Sequence, residues 1–131
     1  MNKNFEIGSV RTYQTQVTNE KLARFDTGLV HPVYSTFALG HDVEWTCRHF
    51  VLEMKEEHEE GVGSYLSIEH MSPAPLHSLV TISATLTEVN GNEVICSYKV
   101  YVEDRLVAQG IQKQRILNKV RFTKLLQKLQ K

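Results

Sequence analysis

The stretch VTISATLTEVNGNEVICSYKVYV, residues 80–102, decides the fold. Val80, Ile82, Ala84 and Leu86 alternate with Thr81, Ser83, Thr85 and Thr87, the period-two pattern of a strand with one buried face. Asn90-Gly91 then offers the two positive-φ positions of a tight hairpin turn. Val94, Cys96, Tyr98, Val100 and Val102 carry the apolar face back along a second strand. Glu103-Asp104 marks another turn, and Leu106 to Leu117 reads as a third strand. Strands joined by such short turns pair antiparallel, and one face of their sheet needs a cover.

The cover lies upstream. Thr36 to about Glu60 reads as a long helix, with Ser35 or Thr36 as N-cap and Gly61 just past its end. At about 100° per residue, Val43, Cys47, Phe50, Val51 and Met54 form one apolar arc. Asp42, Thr46, His49, Glu53 and Glu57 fall opposite, on the side expected to face solvent. Val10 to Thr18 and Tyr65 to Met71 read as further strands, the second with Leu66, Ile68 and His70 on one face. Lys21 to Pro32 is ambiguous and reads as a short helical turn and a loop, and Pro32 places the next element after it. A short helix from about Lys119 closes the chain, with Phe122, Leu125, Leu126 and Leu129 as its apolar stripe and Arg121, Lys124 and Lys128 as its basic one. The expected class is α+β: one antiparallel sheet around a long central helix, the hotdog arrangement, plus a short C-terminal helix. Pairing of sheet edges between two copies would complete such a sheet.

Composition narrows the function. With 131 residues, no repeat and no linker, residues 1–131 are expected to form a single domain. Fifteen basic residues balance fifteen acidic ones, so total charge points to neither nucleic acid nor an anionic membrane. Met1 to Phe5 is polar with no apolar run behind it, and no stretch approaches the roughly 18 apolar residues of a membrane span. Cys47 and Cys96 match no metal or redox spacing and read as free buried thiols, which fits the cytoplasm.

Three side chains could carry chemistry. Glu44 falls beside Gly40, Cys47 and Val51, within the apolar sector of the helix. It either reaches solvent from the edge of the stripe or is held inside, where a carboxylate must be paired or hydrogen-bonded. His70 is either a core histidine satisfied by a backbone carbonyl or an inward acid–base group. Thr36 is either a cap or, at a helix start with free N–H groups, part of an oxyanion-stabilising end. His41 and Glu44 at i, i+3 lack a third ligand, so no metal is expected. The run Glu56-Glu57-His58-Glu59-Glu60 reads as a solvated helix end.

The segments Val33-Tyr34-Ser35-Thr36 and Val43-Glu44-Trp45-Thr46-Cys47 resemble the helix of the fluoroacetyl-CoA thioesterase-like group of hotdog proteins. The stretch from Gly63 through Ser67-Ile68-Glu69-His70-Met71-Ser72-Pro73-Ala74-Pro75 resembles that group's strand and its His-x-x-Pro-x-Pro sequel, and Gly110 and Arg121-Phe122 fit its end. The likeness runs from Val33 to the C-terminus. It implies hydrolysis of an acyl-CoA thioester by Thr36, Glu44 and His70, with the Gly63 backbone N–H offered to the substrate. It further implies coenzyme A as part of the substrate, no separate cofactor, and a homodimer, or a tetramer, whose site is shared between subunits. Two departures stand out. Gln112-Lys113-Gln114 replaces the group's His-Glu-Arg, and Arg115 lies one position beyond that arginine, facing the other way. Lys21 to Val30 does not reproduce the aromatic gate associated with fluoroacetate selectivity, so that specificity is not carried over. The competing expectations are a non-catalytic acyl-CoA-binding hotdog module and an interaction protein docking through Lys124 and Lys128.

Overall fold

The computed structural model describes residues 1–130. Its strands are β1 (Val10–Gln16), β2 (Leu22–Phe25), β3 (Gly28–Tyr34), β4 (Glu59–Leu66), β5 (Glu69–His70), β6 (Leu79–Asn90), β7 (Glu93–Val102) and β8 (Arg105–Asn118). The helices are α1 (Thr36–Met54) and α2 (Lys119–Leu129). The sheet runs in the order β1-β6-β7-β8-β4, with β5 also on β8, and every pairing is antiparallel.

The alternation holds from Val80 to Leu86 and from Val94 to Val100, and bulges after Leu86 and after Val100 end it. Val80, Ile82, Ala84 and Leu86 of β6 and Val94, Cys96, Tyr98 and Val100 of β7 are buried. They close on Leu39, Val43, Cys47, Phe50, Val51 and Met54 of α1, so one curled sheet wraps one helix. At the hairpin tip only Gly91 takes a positive φ, of 62°; Asn90 stays in β6. Cys47 and Cys96 are both free thiols in this core. The Cys96 thiol beside it, reinforced by burial, pushes the Cys47 thiol far up and keeps it protonated.

The helix is shorter than the reading to Glu60. It stops at Met54, and Lys55 is already extended at ψ 145°. Continuing would stack Glu56, Glu57, Glu59 and Glu60 on the negative end of the helix dipole. Instead Glu59 and Glu60 pair with Asn118 and Leu117 to begin β4, while Glu56 and Glu59 receive the Met1 amine at 3.0 and 2.8 Å. The acidic run is therefore a turn and a strand start.

Lys21 to Pro32 is neither turn nor loop for most of its length. A single 3-10 turn at Asn19–Lys21 leads into the β2–β3 hairpin, and β3 runs through Pro32 to Tyr34. Pro32 is tolerated because this ribbon stands apart from the main sheet, and its carbonyl accepts from the Leu76 N–H at 3.0 Å.

This segment changes the environment of the helix's polar side. Asp42 is only 4% exposed and Thr46 is fully buried, against the expectation that both face solvent. Asp42 Oδ2 accepts from Lys21 Nζ at 2.9 Å and from the Tyr34 hydroxyl at 2.5 Å, and Lys21 Nζ also donates to Thr15 Oγ1 at 2.6 Å. Burial, with the Asp42 carboxylate, pushes the Tyr34 phenol far up, so it acts as a fixed donor. Thr46 Oγ1 returns its proton to the Asp42 carbonyl at 2.8 Å. The helix is covered on two sides, with Asp42 satisfied by partners distant in sequence and Thr46 by the helix's own Asp42 carbonyl.

Candidate active site

The face of α1 opposite the β2–β3 hairpin lies close along β4. Three contacts set the approach. A Cβ on Gly40 would meet Leu66 Cδ2 and Ile68 Cδ1 at 3.2 Å, and one on Gly61 would overlap Val51 Cγ1. Between them, a Cβ on Gly63 would collide with Glu44 Oε1 and stand 3.1 Å from its Cδ. The helix runs up as the strand runs down, and side-chain-free positions let the backbones close in. Arg48 adds a hydrogen bond to the Gly61 carbonyl at 2.9 Å.

Glu44 thus sits in a seam. Its side chain remains exposed, yet its carboxylate lies against the Gly63 backbone. The pairing of β4 with β8 is interrupted there by a bulge between Gly63 and Tyr65, which leaves Ser64 without a partner on β8. Bulges re-aim the groups beside them.

Thr36 and His70 form a second pair. Ser35 makes the helix cap, its Oγ accepting from the Ala38 N–H at 2.9 Å. That leaves the exposed Thr36 hydroxyl free to meet His70 Nδ1 at 2.9 Å. The two residues are brought together by the strap that follows His70. The Tyr34 N–H donates to the Ala74 carbonyl at 2.8 Å, and Val33 bridges to Pro75. Arg105 Nη1 holds the strap from its other side, donating to Ser72 Oγ and the Pro73 carbonyl at 2.7 Å each. Burial holds His70 below the ordinary histidine value, against a smaller opposing effect of the Ser72 backbone, so the imidazole is neutral at neutral pH.

The strand Tyr65 to Met71 is accordingly revised. β4 starts at Glu59, breaks at Ser67–Ile68 and resumes as β5. The break is built in: Ile111 donates to Ser67 Oγ at 2.9 Å, and the Tyr98 hydroxyl donates to the Ser67 carbonyl at 2.7 Å. Gly110 leaves room for that carbonyl, which a Cβ would strike.

In the sequence, Gln112 and Gln114 stand out only as departures from the group's pattern. Gln112 and Gln114 are each 1% exposed and face the helix in the row that ends at Ile116, while Lys113 and Arg115 alternate outward. Period-two reading of β8 back from Ile116 carries that signal. Gln112 Nε2 approaches Glu44 Oε1 at 3.4 Å, and Gln114 Nε2 donates to Gln112 Oε1 at 3.0 Å. The Gln114 Oε1 is buried without a partner among the described residues, at a cost of about 1–3 kcal/mol for such a group. Arg115 turns away, as its position predicts, to Asn92 Oδ1 and Glu93 Oε2 at 3.1 Å each.

A cleft of about 780 Å³ lies on the other side of Thr36, between the β2–β3 hairpin and the start of α1. Leu22, Phe25, Val30 and Phe37 give it an apolar wall, and Thr36 reaches it where Glu44 does not. No helix among the described residues is long and apolar enough to cross a membrane.

Comparison with known proteins agrees with this architecture. The family model for the fluoroacetyl-CoA-specific thioesterase FlK matches residues 17–120. A Thermus thermophilus hypothetical protein, a thioesterase superfamily member, superposes with a TM-score of 0.93 at 32% identity, over 98% of this chain and 95% of its own. A point mutant of FlK superposes with a TM-score of 0.87 at 19% identity, over 97% and 99% of the two chains. A hot-dog-like protein from Thermanaerovibrio acidaminovorans gives 0.86 at 22%, over 95% and 92%. No functionally curated protein sequence matches the chain. A helix wrapped by one antiparallel sheet, with a family match over most of its length, makes this chain a hotdog-fold member of the fluoroacetyl-CoA-specific thioesterase family.

Proposed function

We propose that this protein hydrolyses an acyl-CoA thioester to the free acid and coenzyme A, with Glu44, His70, Thr36 and the backbone of Gly63 as its working groups. The observation that carries the reading is the placement of an exposed carboxylate against a glycine backbone, in a seam between helix and strand. A carboxylate in reach of substrate and packed on a glycine main chain suits attack on a carbonyl whose oxygen the Gly63 N–H would then hold. FlK structures with fluoroacetate and CoA, or with acetyl-CoA, support a CoA ester as the substrate class.

Glu44 acts in one of two ways. As nucleophile, its oxygen bonds to the thioester carbonyl carbon, the C–S bond breaks, and water then cleaves the acyl-enzyme anhydride. As base, it takes a proton from water, whose oxygen attacks in its place. In both, the thiolate leaves and is protonated, and His70, neutral and tied to Thr36, moves the protons. The chain supplies the groups as two pairs, Thr36 with His70 and Glu44 with Gly63, which suits a homodimer, or a tetramer, whose subunits share the site. The cytoplasm is the proposed location, and no cofactor beyond the CoA of the substrate is required.

The test is release of free thiol from short, medium, branched and aryl acyl-CoA esters, with Glu44→Gln and His70→Ala alongside. Turnover by the wild type that falls at least about 100-fold in both variants supports the assignment. Unchanged turnover in both removes these residues from the chemistry. Binding of CoA esters without turnover in the wild type would make the protein an acyl-CoA-binding module instead.

A further inference from the structure

We infer that Gln112 is a positioning residue for Glu44, its amide supplying an N–H to Oε1 and leaving Oε2 as the oxygen that meets substrate or water. The inference rests on the thioesterase reading and deepens it at the same site.

Three observations carry it. First, the relay has one polarity. Gln112 Nε2 faces Glu44 Oε1 at 3.4 Å and the Lys113 carbonyl at 3.2 Å. Gln114 Nε2 faces the Glu44 carbonyl at 3.4 Å and Gln112 Oε1 at 3.0 Å. Carbonyls and ionised carboxylates accept only, so turning either amide over would set oxygen against oxygen. Gln114 therefore locks Gln112, and Gln112 presents hydrogen to the carboxylate.

Second, this arrangement is kept at a loss. Gln114 Oε1 is buried with no partner among the described residues, and both glutamines occupy the helix-facing row of β8 that Ala108 and Ile116 fill with apolar side chains. A row chosen for stability alone would be apolar throughout. Groups that break that rule beside a candidate nucleophile fit a functional constraint.

Third, the other neighbours of the carboxylate bring no side-chain donor. Across the seam stands Gly63, which has no side chain, and on the helix itself the Cys47 thiol is engaged with Cys96 in the core. Among the described residues, the Gln112 amide is the side-chain donor placed on Glu44.

The experiment measures kcat and KM across pH for Gln112→Met, Gln112→Glu and Gln114→Met, each alone and with Glu44→Gln, together with thermal melts. Gln112→Met keeps size and removes the donor, so kcat should fall about 10–100-fold with KM nearly unchanged and no further fall in the Glu44→Gln background. Gln114→Met should lower kcat several-fold while Tm holds or rises by about 2–5 °C. Gln112→Glu, which sets two carboxyl groups together, should move the acidic limb of the profile to higher pH. Wild-type turnover that depends on Glu44 but survives Gln112→Met within about threefold overturns this inference and spares the thioesterase reading. Equal losses from Gln112→Met in both backgrounds make it a packing residue only and also overturn it. A wild type that releases no thiol overturns both together. Should Gln112→Met fail to fold, the Gln114→Met pair decides alone, a joint fall in Tm and kcat counting against the inference.

Discussion

The hydroxyl of Thr36 stands 2.9 Å from Nδ1 of His70 because the helix is capped one residue earlier, by Ser35. Two adjacent hydroxyls thereby divide two tasks that either could have performed. Ser35 satisfies the orphan N–H of Ala38, and Thr36 is left to the imidazole.

That division predicts opposite phenotypes for neighbouring substitutions. Thr36→Ala should lower turnover about 10–100-fold and leave the melting temperature nearly unchanged, because an exposed hydroxyl off the cap contributes little to stability. Thr36→Ser should restore most of the loss. Ser35→Ala should cost about 1 kcal/mol of stability with a smaller effect on rate. Thiol-release assays beside thermal melts and urea denaturation read both, and identical behaviour of the two alanine variants would refute the division.

Glycines at the seam predict a second contrast. Gly63→Ala pushes a methyl group into the Glu44 carboxylate, which can swing aside on its flexible side chain. The expected result is a folded protein with turnover reduced about 100-fold, since the displaced group is the proposed reactive one. Gly61→Ala pushes its methyl into buried Val51, which cannot move, and should cost about 1–3 kcal/mol. Circular-dichroism melts and steady-state rates on the two variants separate these effects.

Much of this fold was legible because its strands bury one face. Alternation from Val80 to Val102 shows which side chains point inward, and the apolar arc from Val43 to Met54 shows what they meet. Periodicity failed where burial depends on sequence-distant partners. Asp42 and Thr46 sit on the polar side of α1 yet are buried, because Lys21 and Tyr34 arrive from a segment with no clear pattern of its own. Asp26-Thr27-Gly28, with a φ of 109° at the glycine, was the available signal for the β2–β3 turn. The wheel places Glu44 beside Gly40, Cys47 and Val51; Gly40, Glu44 and Val51 do face the β4 side, while Cys47 turns to Cys96 of β7. It could not show that Gly63 would lie opposite, since a contact with backbone leaves no trace in side-chain periodicity.

The depressed His70 value fixes the direction of two pH effects. Burial disfavours the imidazolium in the folded chain, so the unfolded chain binds a proton at higher pH than the native one. His70 therefore withdraws stability as pH falls below the ordinary histidine value, and contributes nothing to the pH dependence of stability well above it. Its ring signals in an NMR titration should show a midpoint below about 6.5, the unperturbed value. In Thr36→Ala the midpoint should stay low, since burial is the larger cause. A midpoint at or above the ordinary value would contradict the burial of this ring.

The Lys21–Asp42–Tyr34 cluster links stability to the cleft beside Thr36. Asp42 is anchored in α1, while Lys21 ends the turn that leads into β2, and Tyr34 ends β3. Both partners therefore hold the β2–β3 hairpin, and Leu22, Phe25 and Val30 of that hairpin segment line the cleft. Removing one member of a buried pair strands the other. Lys21→Met should leave the Asp42 carboxylate with one fewer donor and cost about 3–5 kcal/mol at most, less to the extent that Lys21 is 23% exposed. Tyr34→Phe should cost about 1–3 kcal/mol, because the same carboxylate then loses its hydroxyl partner. Lys21→Met with Asp42→Leu together should recover part of the single-variant loss, since a matched apolar pair carries no buried charge. If the hairpin shapes the acyl pocket, the single variants should also raise KM for the preferred CoA ester more than they lower kcat. Urea midpoints set beside KM values for Lys21→Met check the link, and a destabilised variant whose KM and acyl preference stay fixed would separate the hairpin from substrate binding.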